Sequence, residues 1–304
     1  MQMLSQEDQD FLNLENSVSE FCARFQQNDP HTTISSIHKL CRSLGDYLQH
    51  QPEDVGEILR PAWRLHGASP FIRRLQRWPR GYPGDFETIE WLADATPRID
   101  ASDPAYWLEW YALNCPIAQQ HRNKLVWQRR IIERAARRGG RIMNLGCGGC
   151  ADLAGDPPFL EDCDFTLIDM DSDALALSAD RLRKARSVAS IKQDALRGAR
   201  EAATLGPFDA IVCGGLFDYL PSRHVSRLLN QLSASVAADG CIAFTNISDS
   251  NPYRIWIENL ADWKLIHRSE DDIRCIVAKA DAPSAKLRIE RDASKLALLC
   301  TLHF

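Results

Sequence analysis

The feature that most constrains the fold is the stretch RIMNLGCGGCADL, residues 141–153. Arg141 to Leu145 is a short apolar run that reads as a strand. It breaks into Gly146-Cys147-Gly148-Gly149, and a helical pattern is expected soon after. Glycines at a strand-to-helix turn let the backbone approach a ligand closely and take positive φ. About twenty residues beyond the loop, a second apolar run, Phe165 to Ile168, ends in Asp169. A nucleoside-binding α/β domain places an acid there to hold ribose hydroxyls. Loop, spacing and acid together point to a nucleoside cofactor, which the loop alone would not.

The rest of the second half alternates strands with helices. A helix from Ser172 to Lys184 leads to the strand Val188 to Lys192, which ends at Gln193-Asp194. Phe208 to Cys213 reads as a buried strand running into Gly214-Gly215-Leu216-Phe217-Asp218-Tyr219. The helix Arg223 to Ala237 passes through Asp239-Gly240 into the strand Cys241 to Asn246. Such alternation implies a parallel, doubly wound sheet. The tail differs: Lys286 to Arg291 and Leu296 to Phe304 flank a turn at Asp292-Ala293-Ser294, the pattern of an antiparallel hairpin closing the sheet's edge.

No strand pattern precedes Arg141. Phe11, Leu14, Val18, Phe21 and Phe25, then Ile34, Ile37, Leu40, Leu44 and Leu48, recur three and four apart, which predicts two amphipathic helices broken at Asn28-Asp29-Pro30. Further helices are expected over Pro52 to His66 and Pro70 to Trp78. In Arg80-Gly81-Tyr82-Pro83-Gly84-Asp85-Phe86 the glycines and proline make a non-helical elbow, and Asp85 can cap a helix from Phe86 to Ala95. Tyr82 either faces a ligand from that elbow or simply packs the turn. Six of the eight tryptophans precede the glycine loop, and Tyr106, Trp107, Trp110 and Tyr111 share one predicted helix. Most of these rings belong in a core, with one or two available to line a cavity. A long helix from about Pro116 to Arg138 ends at Gly139-Gly140. Its basic run reads as a solvated face, with Arg122, beside His121 and far from the basic cluster, as the exception. The expected organisation is a helical lid over residues 1–139 and a nucleoside-binding domain over 140–304.

Composition narrows the function. A net charge of −5 argues against general nucleic-acid binding, which needs a basic footprint. No apolar run approaches the roughly 18 residues of a membrane span. The start, MQMLSQEDQD, is too polar for a signal peptide, and ten scattered cysteines suggest reduced thiols in a cytoplasm. Cys147-x-x-Cys150 lacks the second CxxC or paired histidines of a zinc site, so no metal is expected. His224 and His267 lack evident partners and read as surface residues. Asp171 and Asp173 start a helix in this reading. Asp218 and Tyr219 are open to either a functional or an ordinary loop role.

A parallel sheet with a glycine loop, an acid after the second strand and a terminal antiparallel hairpin resembles the class I S-adenosylmethionine (SAM) methyltransferases. GCGGC also lacks the third glycine of the dinucleotide fingerprint. That resemblance implies an α/β fold with a mostly parallel seven-stranded sheet, and SAM as cofactor or sole substrate. It implies that Gly146 and Gly148 lie against the methionine part of SAM, Asp169 takes the ribose hydroxyls, and Met170 contacts adenine. Asp194 would accept from the adenine amino group, and Gly214 to Tyr219, Phe217 included, would border the transferring centre. The order GYPGDFETIEWL, ALNCPIAQQHRNK, long helix and glycine loop resembles a bacterial group named after the synthase of 3-hydroxypalmitic acid methyl ester. In that group the helical region would be a lid with Tyr82 and Arg122 turned inward, catalytic together with Tyr219. The loop departs from that group at Gly149-Cys150, where a bulkier pair is commoner. The same architecture resembles azetidine-2-carboxylate synthases, which cyclise SAM and release methylthioadenosine. The expectation is therefore an enzyme of secondary metabolism acting on a small carboxylate or hydroxyl, with cyclisation and a non-catalytic SAM-fold binding protein as alternatives. Methyl transfer to an ionised carboxylate needs alignment and exclusion of water but no general base.

Overall fold

The computed structural model describes residues 5–50, 55–280 and 285–304. Its contacts divide the chain into two compact units. One is Met1–Ala118 with Pro252–Lys264, and the other is Gln119–Asn251 with Leu265–Phe304.

In the first unit, α1 (Gln6–Arg24) and α2 (Pro30–His50) pair through Leu14, Val18 and Phe21 on one side and Ile37, Leu40 and Leu44 on the other, all buried. The break falls where Asn28 takes φ +46, as the Asn-Asp-Pro sequence implies. Helices α3 (Gly56–His66), α4 (Pro70–Arg77), α5 (Phe86–Asp94) and α6 (Tyr106–Asn114) follow. The first three residues of the expected third helix, 52–54, lie outside the described residues. Asp85 caps α5 as expected, accepting from the Thr88 N–H at 2.9 Å, and it also takes two bonds of 2.8 Å from the Arg74 guanidinium.

The aromatic cluster is only partly core. Tyr106, Trp107 and Trp110 form an edge-to-face series with centroids 5.0 and 5.9 Å apart, while Tyr111 is buried. Chain cations already cover two ring faces: Arg98 lies 3.8 Å over Trp91 and Arg80 lies 4.8 Å over Phe86.

Helix α7 (Pro116–Ala136) leads into the second unit. Ile131, Ile132 and Ala135 near its end pack into the core with strand residues Ile142, Phe165 and Leu167. The contact division falls inside α7, between Ala118 and Gln119, whereas the sequence reading draws it after residue 139.

The second unit holds one sheet built from β1 (Arg141–Leu145), β2 (Asp164–Asp169), β3 (Ser187–Lys192), β4 (Phe208–Cys213), β5 (Val236–Ile247), β6 (Lys286–Arg291) and β7 (Ala297–His303). Strand order is β3-β2-β1-β4-β5-β7-β6, parallel except that β7 runs antiparallel to both β5 and β6. The expected terminal hairpin is therefore present, with β7 inserted beside β5 and β6 at the edge. Side chains alternate between two cores. Met143, Leu145 and Ile168 face one side, and Ile142, Phe165 and Leu167 face the other.

Four features depart from the sequence reading. Between β1 and β2 there is no α-helix, only 3-10 turns at Ala151–Leu153 and Pro158–Asp162, because Gly155 and the pair Pro157-Pro158 interrupt any longer helix. After α8 (Ser172–Arg181) and β3 comes an additional helix, α9 (Ala195–Ala202). Helix α10 (Ser222–Ser233) ends before Ala237, since Val236, the first residue of β5, already pairs with Phe208 of β4. Helix α11 (Arg254–Asn259) belongs to the first unit, where Trp256 meets Tyr111 edge-on at 5.3 Å, and α12 (Glu270–Ala278) packs in the second.

Candidate functional site

The site begins where β1 ends. Gly146 has φ +62 and Gly148 has φ +52, conformations that side-chain-bearing residues rarely adopt. The N–H groups of Gly146 and Cys147 donate to the Ile168 carbonyl at 2.8 and 3.2 Å, so the loop is tied to the end of β2. Ser178 Oγ donates to the Gly148 carbonyl at 2.6 Å, and the Arg181 guanidinium donates to the Gly149 carbonyl. The loop is thus held in shape by α8 while Gly146 stays exposed.

Asp169 completes the strap. Its Oδ2 accepts from the Gly148 N–H at 2.8 Å and its Oδ1 from the Asp171 N–H at 3.0 Å. Burial pushes this carboxyl above the usual range, and the N–H groups of Asp171, Gly148 and Met170 oppose that shift. A carboxylate held by two N–H groups still has unused lone pairs for hydroxyl donors. Asp171 itself caps α8, as its position suggests, accepting from the Asp173 N–H at 2.9 Å.

Met170 stands at the end of β2 with 67% of its surface exposed. Asp194 lies two residues past β3, and its Oδ1 is engaged in capping α9 through the N–H groups of Leu196 and Arg197, each at 3.1 Å. Its Oδ2 lies 3.5 Å from the Arg197 Nε.

After β4, Gly214 and Gly215 lead into a 3-10 turn, Leu216–Asp218. The Phe217 ring, expected to border the transferring centre, is fully buried and packs on Phe244 with centroids 5.0 Å apart, within the core. Asp218 is 3% exposed. Its Oδ1 accepts from the Ile247 N–H at 2.6 Å, and its Oδ2 lies 3.6 Å from Lys124 Nζ. Burial raises its carboxyl, while Lys124 and the Ile247 N–H act in the opposite sense. Arg268, 2% exposed, fastens the turn: Nη1 donates to the Phe217 carbonyl at 2.7 Å and to Asn246 Oδ1 at 2.5 Å, and Nη2 to the Leu220 carbonyl at 2.5 Å. Tyr219 follows, half-buried.

The remaining expected residues fall in different places. Tyr82 is in the first unit, 37% exposed, between Gly81 (φ +83) and Gly84 (φ +66). Arg122 is in the second unit, where its Nε and Nη2 donate to Gln119 Oε1 at 3.0 and 2.8 Å. His267 is not a bare surface residue. It is half-buried, with Nε2 3.1 Å from Asn251 Nδ2 and Nδ1 3.1 Å from the Leu265 carbonyl.

Cys147 and Cys150 are reduced and buried, and among the described residues no group of three or more His, Cys, Asp or Glu side chains is arranged to hold a metal. Among the same residues, no helix is long and apolar enough to cross a membrane.

Missed in the sequence was the buried polar face of α7. Gln120, Lys124 and Gln128 are 0, 3 and 5% exposed, and their spacing of four places them on one side of the helix. That spacing was visible, but apolar periodicity is blind to polar residues that are buried.

Residues 143–242 match a family described as a methyltransferase domain. The match takes in β1 to β4, the glycine loop, Asp169 and the turn after β4. With the strand order above, it supports a SAM-dependent methyltransferase, with SAM as cofactor or co-substrate. No curated protein matches the chain. Among solved structures, a possible exported protein from Bordetella parapertussis shares the fold, with TM-score 0.62, 17% identity, and coverage of 95% of this chain and 96% of that one. The N-methyltransferase NodS from Bradyrhizobium japonicum aligns with TM-score 0.41 and 16% identity over 62% of this chain and 97% of its own. The 1,6-didemethyltoxoflavin-N1-methyltransferase from Burkholderia thailandensis aligns with TM-score 0.44 and 17% identity over 59% and 77%.

Proposed function

We propose that the second unit binds SAM against the loop after β1 and the end of β2, and transfers its methyl group to a small-molecule carboxylate or hydroxyl. The observation that carries this reading is the Asp169 strap. A half-buried carboxylate at the end of β2 holds the Gly148 N–H while keeping acceptor capacity for a pair of vicinal hydroxyls.

The residues fit the group. Gly146 offers bare, exposed backbone at the loop, and Asp169 offers the acceptor. Met170, exposed just after β2, would cover the adenine ring. Asp194 would meet an adenine amino group through Oδ2, its Oδ1 being engaged in the cap. When bound, SAM supplies a methyl group on a sulfonium, ready for in-line displacement. The protein's own work is alignment and exclusion of water. The turn after β4 is suited to alignment, because Arg268 ties its Phe217 and Leu220 carbonyls to Asn246 of β5 and Asp218 bonds the end of β5. Tyr219, at the end of that turn, is the chain's candidate to border the reacting centre.

The test is to incubate pure protein with SAM, with and without a panel of small carboxylic acids and alcohols, and to analyse by mass spectrometry. S-adenosylhomocysteine and a methylated acceptor are expected together, and only when an acceptor is present. Methylthioadenosine accumulating above the uncatalysed rate with SAM alone would replace methyl transfer by cyclisation.

A further inference from the structure

Within the second unit, the face of α7 carrying Gln120, Lys124 and Gln128 is buried and yet poor in partners. Neither amide atom of Gln120 has a hydrogen-bond partner among the described residues, nor does Gln128 Nε2. Two of its residues, Lys124 and Gln128, look onto the turn after β4. A Cβ on Gly214 would collide with the Gln128 amide, and one on Gly215 would lie 3.8 Å from Lys124 Nζ. The Lys124–Asp218 separation of 3.6 Å is an ion pair too long for a good hydrogen bond.

Charge is also out of balance. Lys124 and Arg268 are two buried cations that, among the described residues, both act on the single buried carboxylate of Asp218; Asp272, which also acts on Arg268, is solvent-exposed. Buried amides without partners and a surplus cation are both costly unless a ligand completes them. The donors available are two primary amides and one ammonium. They suit a planar anion with two acceptor oxygens and a single charge better than a dianion, for which one surplus cation is too few. A hydroxyl acceptor would instead call for a base. The histidine beside this face, His121, is held well below its usual pKa by burial and by Lys124 and Arg122, which makes it a weak one.

We propose that Gln120, Lys124 and Gln128, together with the backbone of Gly214 and Gly215, form a carboxylate seat. This rests on the SAM reading, and the carboxylate has two possible sources: the amino-acid end of the cofactor, or an acid acceptor. Under the second, the substrate class narrows from carboxylate or hydroxyl to carboxylate.

The test is calorimetry on wild type, Lys124→Met and Gln120→Met. The second variant leaves the Lys124–Asp218 pair in place, and thermal melts report that each is folded. Three ligands are titrated: S-adenosylhomocysteine, methylthioadenosine (which has no amino-acid arm), and hexanoate with S-adenosylhomocysteine present. The expected result is a loss of at least tenfold in Lys124→Met, and a smaller loss in Gln120→Met, for one carboxylate ligand, with methylthioadenosine within twofold. Loss of S-adenosylhomocysteine assigns the seat to the cofactor's arm. Loss of hexanoate alone assigns it to the acceptor. If both variants keep S-adenosylhomocysteine within twofold, and hexanoate either fails to bind wild type or binds the variants equally well, the seat is overturned. If wild type binds neither nucleoside, the SAM reading fails on its own account, and hexanoate binding to the free protein then decides for or against the seat.

Discussion

Asp169→Ala is expected to weaken S-adenosylhomocysteine binding by roughly 5- to 150-fold, corresponding to about 1–3 kcal/mol for two hydroxyls left without an acceptor. The same change frees the Gly148 and Asp171 N–H groups, so the loop loses a strap as the ligand loses a partner. Asp169→Asn separates the two effects. It keeps one acceptor oxygen for the loop while removing the charge, and its affinity should fall between wild type and alanine. Isothermal titration measures all three. An unchanged affinity in Asp169→Ala would remove the acid from the site.

The second large effect is structural. Arg268→Met should destabilise the chain by on the order of 4 kcal/mol, since hydrogen bonds to a buried charged group are worth about 1.5–3 kcal/mol each and their loss leaves buried acceptors unmet. The acceptors concerned are the carbonyls of Phe217 and Leu220 and the side chain of Asn246. It would also remove a cation near Asp218, whose carboxyl burial already drives upward. Urea unfolding reads the result as a shift in midpoint at unchanged slope. A loss below about 1 kcal/mol would mean that the turn after β4 is held by other contacts.

Much of the architecture was legible in the sequence because its signals are local. The apolar run Arg141 to Leu145 became β1 with those bounds, and the Asn28 break and the Asp85 cap follow from backbone chemistry readable in a few residues. Helix α9 was missed because Gly198 and the small residues around it give a weak apolar stripe. That glycine is needed there, since a Cβ would press into Ile168. The strand β5 begins early because Val236 pairs with Phe208, a long-range contact that local helical pattern cannot reveal. The assignment of Pro252–Lys264 to the first unit is likewise non-local.

At the candidate site, the positive φ of Gly146 and Gly148 and the strand-end position of Asp169 were legible, because backbone conformation and strand ends constrain residue type. The burial of the Phe217 ring was not legible, because a loop aromatic can turn either outward or into the core, and Phe244 supplies the core surface that takes it. Lys124 was hidden inside a basic helix that reads as a solvated face, although only 3% of it reaches solvent.

Amide hydrogen exchange on adding S-adenosylhomocysteine tests the placement of the nucleoside most directly. The account predicts slowed exchange in the peptides covering Gly146–Cys150 and Asp169–Ala174, where the Gly148 and Asp171 N–H groups already bond to Asp169. Binding accompanied by protection elsewhere, with these two segments unchanged, would contradict it.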